Sequence, residues 1–381
     1  MRTSNTKKNR QKMVALLAAM LLFFVTGIFA GRVVNNRINK PKLDEEIPSN
    51  IDVESSETQP DNSEIKDDDS KEESLPKIGV WTIEGKKQVI YEPEGIGYRY
   101  GPSILSNEDG SVDIWIVSPG NNSTEWDHIR YIHSDDRVNW SDERVVLRPT
   151  RNSNDQCSVC DPAVIVFNDY YYLGYTSTSD YERNGFDNSV FVARSKYPEG
   201  PFEKWDGNGW GGDPEPIIEY NDDPDGWGIG EVSFVIKDEE LYLYYTYNNN
   251  EQLSLCMAKA DLCENWPSTI RDNQVVIEEK GFDATEVVYV EDVDMFLAFG
   301  ITEDFSPDSR LTILKSKDGV DFSKRVDTNE TIIDIFSINM GVEKDGRGHV
   351  KTGEELFIGY GFGNVWAQWT GRLRAIIIAE V

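Results

Sequence analysis

Two acidic residues stand before similar apolar stretches and are the first candidates for chemistry. Asp161 opens DPAVIVFNDYYYLGYTST, and Glu231 opens EVSFVIKDEELYLYYTYN. Two carboxyl groups that share one site can work as an acid and a base when one is kept protonated and the other is ionised. Asp followed by Pro also opens strands for backbone reasons alone, because Asp caps turns and Pro fixes φ. Asp161 and Glu231 are therefore a candidate catalytic pair with a structural alternative.

These two acids occupy the same place in a repeat. Short alternating or aromatic stretches bounded by Asn, Asp and Gly turns predict strands, whereas helical periodicity is scarce after residue 78. Four strands per unit, recurring at a spacing of roughly 50–70 residues, are typical of propeller blades. The sequence predicts an all-β, five-bladed β-propeller, with a β-sandwich as the main alternative. The first halves of the five units are 101–119, 161–178, 231–248, 284–302 and 338–363.

The repeat predicts where the strands meet. Residues 78–93 precede the first unit and are predicted to close the ring by adding an outer strand to the last blade. Inner strands of a propeller converge on its axis, so their first residues share one funnel. Gly101, Asp161, Glu231, the stretch 283–286 and the region of Asn339 are the predicted starts. Carboxyl groups gathered in a desolvated funnel are a functional candidate.

The chain resembles a known group of enzymes at these residues. CDPAVIVFNDYYYLGYTST and GIGEVSFVIKDEELYLYYTYN are similar to the second-blade and third-blade motifs of the five-bladed glycoside hydrolases of families 43, 32, 62 and 68, and most to family 43. SDDRVNW and SKDGVDF resemble turns common there. The resemblance covers about 78–381. It implies that Asp161 orients and tunes the site and that Glu231 is the general acid.

One position departs from that pattern. The first-blade Asp, which the resemblance implies as general base, falls where Gly101 stands in RYGPSIL. Asp283 and Glu286 of the fourth unit, or Asp161 itself, are the candidates for the second role, and strand parity favours Asp283. A carboxyl separation of about 6.5–9.5 Å would indicate inversion, and about 5–5.5 Å retention.

Three further residues are candidates for substrate binding. Trp227, in the Gly-rich loop before Glu231, and Trp210 offer flat apolar faces on which sugars stack, although plugs between blades are an equal alternative. Arg99 could balance the acids or bind a hydroxyl or carboxylate, or could form a surface salt bridge. No cofactor is expected. Asp222, Asp223 and Asp225 leave open a structural calcium ion, but EF-hand spacing is missing, which favours a solvated loop.

Composition limits the partners. The chain has 381 residues with 38 basic and 68 acidic side chains, a formal charge of -30. Proteins that neutralise phosphates need clustered Lys and Arg, so nucleic-acid binding is disfavoured. A monomer acting on a poly- or oligosaccharide is expected.

The N-terminal residues predict export. Residues 1–13 carry five basic residues and no acid, and 14–30 are an uncharged apolar run. A basic flank before such a run predicts a cytoplasmic tail and a transmembrane helix with the rest of the chain outside, or a cleaved signal. Residues 31–77 predict a disordered acidic linker before the propeller of 78–381. We expect a cell-membrane protein with one span or, alternatively, a secreted one.

Four cysteines add one more prediction. Cys157 and Cys160 form a single CxxC, and Cys256 and Cys263 follow. An even number in an exported chain favours disulfides, here two local bridges. Zinc binding or redox catalysis is less supported, because the CxxC lacks a second one and a thioredoxin-like βαβ pattern.

Three functions compete on these observations. The first is a glycosidase that acts on an extracellular glycan. A glycan with furanose or pentose units would fit the resemblance. The second is a non-catalytic carbohydrate-binding propeller, suggested by Gly101. The third is a phosphorylase or transferase, which would need basic residues in the funnel beyond Arg99.

Overall fold

The computed structural model describes residues 75–381 apart from 96, 123, 184, 224, 279–280 and 329–331. The predicted tail, the helix of 14–30 and all but the last three residues of the predicted linker lie outside this part. Within it, no helix combines the length and hydropathy that a membrane span requires.

The described residues form five sheets of mostly antiparallel strands, which confirms the predicted propeller. Two strands precede the first blade: β1 Ile78–Tyr91 and β2 Gly97–Tyr98. The first blade contains β3 Tyr100–Ser106, β4 Val112–Asn122, β5 Glu125–Ser134 and β6 Arg144–Leu147. The second contains β7 Cys160–Phe167, β8 Tyr170–Ser177, β9 Ser189–Ser195 and β10 Glu203–Lys204. The third contains β11 Gly228–Lys237, β12 Glu240–Asn248, β13 Leu253–Asp261 and β14 Arg271–Ile277.

The last two blades each include extra short strands. The fourth contains β15 Phe282–Val290, β16 Met295–Thr302, β17 Arg310–Ser316 and β18 Lys324–Arg325. β19 Asp327–Thr328 and β21 His349–Val350 add parallel edges to β1 and β15. The fifth blade contains β20 Ser337–Val342, β22 Glu355–Phe362 and β23 Gln368–Glu380. Three short 3₁₀ turns occur at Tyr181–Arg183, Trp266–Thr269 and Glu291–Val293.

The ring closes as the sequence predicts. β1 pairs antiparallel with β23, and Val80 lies opposite Ile378. The first strand of the propeller is thus the outer strand of its last blade, and both ends of the folded chain are held in one sheet. Val80 and Ile378 are fully buried in a cluster with residues of the fourth and fifth blades.

Aromatic and aliphatic side chains fill the space between blades. Trp266 is fully buried and contacts Tyr172 of the second blade and Phe234 of the third edge to face. Such T-shaped pairs suit the charge distribution of aromatic rings. Packing of this kind holds the inner strands, and hence the funnel, at fixed spacing.

The predicted disulfides are wrong, because all four cysteines are free thiols. The Cys160 thiol faces the Thr176 carbonyl at 3.5 Å, while Cys157 is buried beside Tyr181. Cys256 and Cys263 are seven residues apart along β13 and the turn after it. At about 3.3 Å per strand residue their separation far exceeds the roughly 7 Å limit between bridged Cα atoms.

Candidate active site

A shared backbone device turns one residue of each inner strand toward the axis. The register with the second strand shifts once near the start of β3, β7, β11, β15 and β20. Such a bulge re-aims a side chain out of the pleat. The residues at the five shifts all have positive φ and are Gly101, Asp161, Glu231, Ala284 and Asn339. The equivalent residue of the fourth blade is therefore Ala284, between the predicted Asp283 and Glu286.

The bulges bring Asp161 and Glu231 together, as predicted for the funnel. The Asn339 amide donates to Asp161 Oδ1 at 2.8 Å and to Glu231 Oε1 at 2.9 Å. Because an amide nitrogen carries two hydrogens about 120° apart, oxygens bound to both lie about 5 Å from each other. Asp161 is 8% exposed, and Glu231 and Asn339 are half-buried. The two acids thus face one another across a single amide.

Glu231 contacts a second carboxyl group. The Ala284 backbone N–H lies 3.2 Å from Glu231 Oε2 and 2.9 Å from Asp283 Oδ1, so both oxygens share one donor. The Asp283 and Glu231 side chains also hydrogen-bond to each other. Asp283 therefore lies against Glu231, on its fourth-blade side, rather than across a gap from it.

Burial and like charge raise the pKa values of these acids. Burial, with the charge of Asp161 second, raises the pKa of Glu231 to about 7. Burial also raises the pKa of Asp161 to about 6, although hydrogen bonds from Cys160, Thr176 and Asn339 lower it. The pKa of Asp283 is held well above its ordinary value, first by burial and then by the charge of Glu231. Glu231 thus holds its proton to higher pH than Asp161 does.

Glu286, the other fourth-blade candidate, is engaged deeper along the axis. Its carboxylate forms an ion pair with Lys344, and both side chains are almost fully buried. Ser233 also donates to Glu286 Oε1 at 2.6 Å. A buried charge of this kind is stable only when paired, and Glu286 therefore lies in the floor of the funnel as a neutralised group.

Gly101 leaves space beside Asp161. A Cβ added at Gly101 would lie 3.5 Å from Asp161 Oδ1 and 3.5 Å from the Asn339 Cβ, which are ordinary contacts. A cavity of about 20 Å³ adjoins Gly101, Asp161, Glu231 and Asn339. That volume suits one water molecule.

Two further groups near the acids were missed by the sequence reasoning. Asp127, on the third strand of the first blade, accepts hydrogen bonds from Tyr98 at 2.5 Å and from Ser158 at 2.7 Å. Its charge adds to the rise in the pKa of Asp161. The charge of Asp304, in the loop between β16 and β17, similarly raises the pKa of Glu231. Neither stands at an inner-strand start, so the repeat carried no signal for them.

The predicted binding residues separate in the structure. Trp227 is half-buried and its ring reaches the backbone of Gly230, the neighbour of Glu231. Trp210 instead packs on Trp205 with 5.2 Å between ring centroids, and its Nε1 donates to the Glu264 carbonyl at 3.2 Å. The structure thus brings Trp227 to the funnel rim and uses Trp210 as a packed side chain of the outer second blade.

Arg99 forms a salt bridge, as its alternative prediction has it, but this bridge is largely buried and not on the surface. The residue is 6% exposed, and its guanidinium donates to Glu143 Oε1 at 2.8 Å and covers the Tyr91 ring at 4.0 Å. It is therefore committed to a salt bridge outside the funnel.

A second aromatic group lies on the rim between the fourth and fifth blades. Trp366 is 51% exposed and meets Phe305 and Trp369 edge to face. Phe305 follows Asp304, whose charge acts on Glu231, and Trp369 packs on Tyr100, which precedes Gly101. Trp366 is thus an exposed indole, held by two other rings, that offers a flat apolar face to solvent.

The acidic loop before Glu231 is held by hydrogen bonds. Asp222 accepts from Tyr247 and from the Asn249 amide. Across residues 75–381, apart from the few undescribed positions, no group of three or more His, Cys, Asp or Glu side chains is placed to hold a metal ion. The expectation of a cofactor-free protein stays a prediction.

Comparison with known proteins places the fold. No protein-family model matches the sequence, and no curated protein matches it. A family 117 glycoside hydrolase of the marine bacterium Zobellia galactanivorans superposes with a TM-score of 0.55 at 17% identity, over 79% of this chain and 90% of that chain. An α-L-arabinofuranosidase of Podospora anserina, solved with cellotriose, gives 0.53 at 12% identity, over 80% and 98%.

An endo-arabinase of Bacteroides thetaiotaomicron gives a TM-score of 0.50 at 19% identity, over 74% of this chain and 94% of that chain. Identities this low establish a common fold. The chain therefore shares the five-bladed propeller of these glycoside hydrolases, which confirms at the level of fold the resemblance found in the sequence.

Proposed function

We propose that the chain is a glycoside hydrolase that cleaves a poly- or oligosaccharide by carboxylate catalysis. The observation that carries this proposal is the single Asn339 amide bound to both Asp161 and Glu231 in one central cavity. It places two carboxyl groups of unequal pKa on opposite sides of one small space. Pairs whose environments separate their pKa values are typical of acid and base assignments.

Glu231 is proposed as the general acid. Its pKa of about 7 keeps it protonated in mildly acidic to neutral solution, so it can donate to the leaving glycosidic oxygen. Asp161, with the lower pKa of about 6, loses its proton first. The acid and its ionised partner therefore coexist near pH 6–7.

Asp161 is proposed for the second role. Asp283 lies against Glu231 and leaves no gap for a water molecule between them, and Glu286 is neutralised by Lys344. The Asp161 and Glu231 oxygens bound to Asn339 lie about 5 Å apart by the geometry of the shared amide, which is closer to enzymes in which the second carboxylate attacks the sugar than to those in which it activates water. We expect retention of anomeric configuration, and ¹H NMR of freshly released product would show inversion if Asp161 instead activated water.

The substrate class rests on the neighbours. The solved structures with this fold include enzymes named for arabinan and arabinofuranose, and these support a glycan with furanose or pentose units as the substrate here. The half-buried ring of Trp227 and the exposed ring of Trp366 would stack on sugar faces.

The test is sugar release by Glu231→Gln. The amide keeps the shape of Glu231 but cannot act as acid, so kcat on arabino- and xylo-oligosaccharides is expected to fall by at least about 100-fold. Glu251→Gln, an exposed carboxylate on the same blade, is the matched control and should leave kcat unchanged. Equal sugar release by wild type and Glu231→Gln would refute the assignment.

A location outside the cell is part of the proposal. The basic residues of 1–13 and the apolar run of 14–30 support a membrane anchor with the propeller outside. Protease added to intact cells should digest the propeller of a cell-bound protein, and full protection of the propeller would contradict this.

One observation favours a second function. Gly101 gives the first blade no side chain in the funnel, which fits a propeller that binds a glycan without cleaving it. Glycan binding by purified protein with no product from any bound glycan would establish this alternative.

A further inference from the structure

We propose that Asp283 is a positioning residue that shares a proton with Glu231 and returns one to it after each donation. The inference rests on the proposed role of Glu231 as general acid. It differs from the expectation that Asp283 would activate water, and it assigns a use to the contact between the two side chains.

The geometry fixes both carboxyl groups on one side of the site. Ala284, at the bulge of β15, points its N–H between Glu231 Oε2 at 3.2 Å and Asp283 Oδ1 at 2.9 Å. Two carboxyl groups held this close cannot both carry a charge, because the repulsion between them is strong in a desolvated site. At least one proton therefore belongs to the pair until both groups ionise.

The partners of each group indicate where that proton resides. Glu231 accepts from Asn339 at Oε1, from Ala284 at Oε2 and from Thr246, so donors surround it and favour its ionised form. Asp283 accepts from the Ala284 N–H and hydrogen-bonds to Glu231. Asp283 is thus the better carrier of the proton once Glu231 has lost its own.

The neighbouring charges keep the proton in the pair. The charges of Asp161 and Asp304 raise the pKa of Glu231. The charge of Glu231 in turn raises the pKa of Asp283. Among the described residues, the groups that act most strongly on the pKa values of Glu231 and Asp283 include no cation. Losing the last proton from the pair would place another negative charge among these acids, which is unfavourable.

The chemical step balances. Glu231 gives its proton to the leaving oxygen and becomes a carboxylate. The Asp283 proton then moves along the existing hydrogen bond to Glu231, and Asp283 becomes the carboxylate. When water hydrolyses the glycosyl–Asp161 ester, its proton goes to Glu231 while the Glu231 proton moves back along the same hydrogen bond to Asp283, so both acids are restored. The pair titrates as a unit with two macroscopic pKa values, and activity persists until the second proton leaves.

Asp283→Asn tests this, because the amide still donates to Glu231 but cannot release a proton. We expect the alkaline limb of the kcat/KM profile to move at least one pH unit lower, with kcat at pH 6 within about 3-fold of wild type. Asp304→Asn is the control, since it removes a charge that acts on Glu231 but leaves both carboxyl groups of the pair in place. An alkaline limb that stays in place, or moves equally in both variants, would overturn the proposal.

A second measurement does not depend on activity. A carboxyl group whose pKa is raised on folding adds stability at low pH and loses it as pH rises through the folded pKa. Asp283→Asn should therefore melt at higher temperature than wild type at pH 8, and the two should converge near pH 4. Identical melting curves of the two proteins at every pH would refute the shared proton. If the melting curves differ as expected but the wild type releases no sugar, only the proposed hydrolase activity would be refuted.

Discussion

At the scale of residues, the site depends on one neutral donor between two acids. Asn339 occupies in the fifth blade the position that Asp161 and Glu231 occupy in theirs. A carboxylate there would add a third negative charge, and an apolar residue would leave the two acids to repel one another directly. The amide donates to both and adds no charge, so it fixes their spacing while leaving the pKa of Glu231 raised by Asp161.

Replacing Asn339 should therefore disturb both geometry and ionisation. In Asn339→Ala, the pKa of Asp161 should rise because a hydrogen bond that lowers it is lost. We expect kcat to fall by about 10-fold to 100-fold, since small misplacements cost that much, and the acid limb of kcat/KM to move above pH 6. The pH–rate profile measures this, with Asn208→Ala on the exposed second-blade loop as control. An acid limb unmoved in Asn339→Ala would show that the amide does not act on Asp161.

At the same scale, the sequence predicts which residues lie at the funnel better than it predicts what each side chain does. Asp161 and Glu231 were found because they open equivalent strands, and the same alignment points to Asn339. Trp210 and Arg99 are candidates by their chemistry alone. In the structure Trp210 packs on Trp205 and Arg99 pairs with Glu143. A single sequence does not show which partner a side chain will meet across blades.

At the scale of elements, the bulge determines which residue of each inner strand faces the axis, and the repeat alone did not predict this. The inner-strand starts were predictable from the repeated hairpins, but the residue that turns to the axis depends on a register shift of one position. In the fourth blade that residue is Ala284, so its backbone N–H, rather than a side chain, enters the site. A one-residue difference in register changes which side chains face the funnel, which is why strand parity favoured Asp283 whereas the residue at the fourth-blade bulge is Ala284.

Ring closure joins β1 to β23 in one sheet with a buried contact between them. Val80 of β1 is fully buried opposite Ile378, whereas Val89 of the same strand is 51% exposed. Val80→Asp places an unpaired charge in the core and should lower the free energy of unfolding by about 3–5 kcal/mol. Val89→Asp, the matched control, should change it by less than about 0.5 kcal/mol. Denaturant unfolding followed by tryptophan fluorescence measures both, and equal midpoints would show that β1 is dispensable.

At the scale of the whole molecule, charge restricts the substrate. The chain carries a formal charge of -30. Asp161 and Glu231 line the cavity, Asp283 contacts Glu231, and the charges of Asp127 and Asp304 act on these acids. Lys344 is already paired with Glu286 in the funnel floor. A field of one sign repels ligands of the same sign over roughly a Debye length, about 10 Å at 0.1 M salt.

This field predicts a preference for uncharged glycans. For a neutral oligosaccharide, kcat/KM should change little between 20 and 500 mM NaCl. The Debye length falls from about 20 Å to a few Å over this range. The same oligosaccharide bearing a uronic acid should react at least about 10-fold more slowly at 20 mM, and the difference should shrink as salt screens the repulsion. Matched neutral and acidic substrates assayed at pH 6.5 measure the effect. If the acidic glycan were preferred at low salt, a cation of the chain would have to face the substrate, and the charge of the funnel would not set specificity.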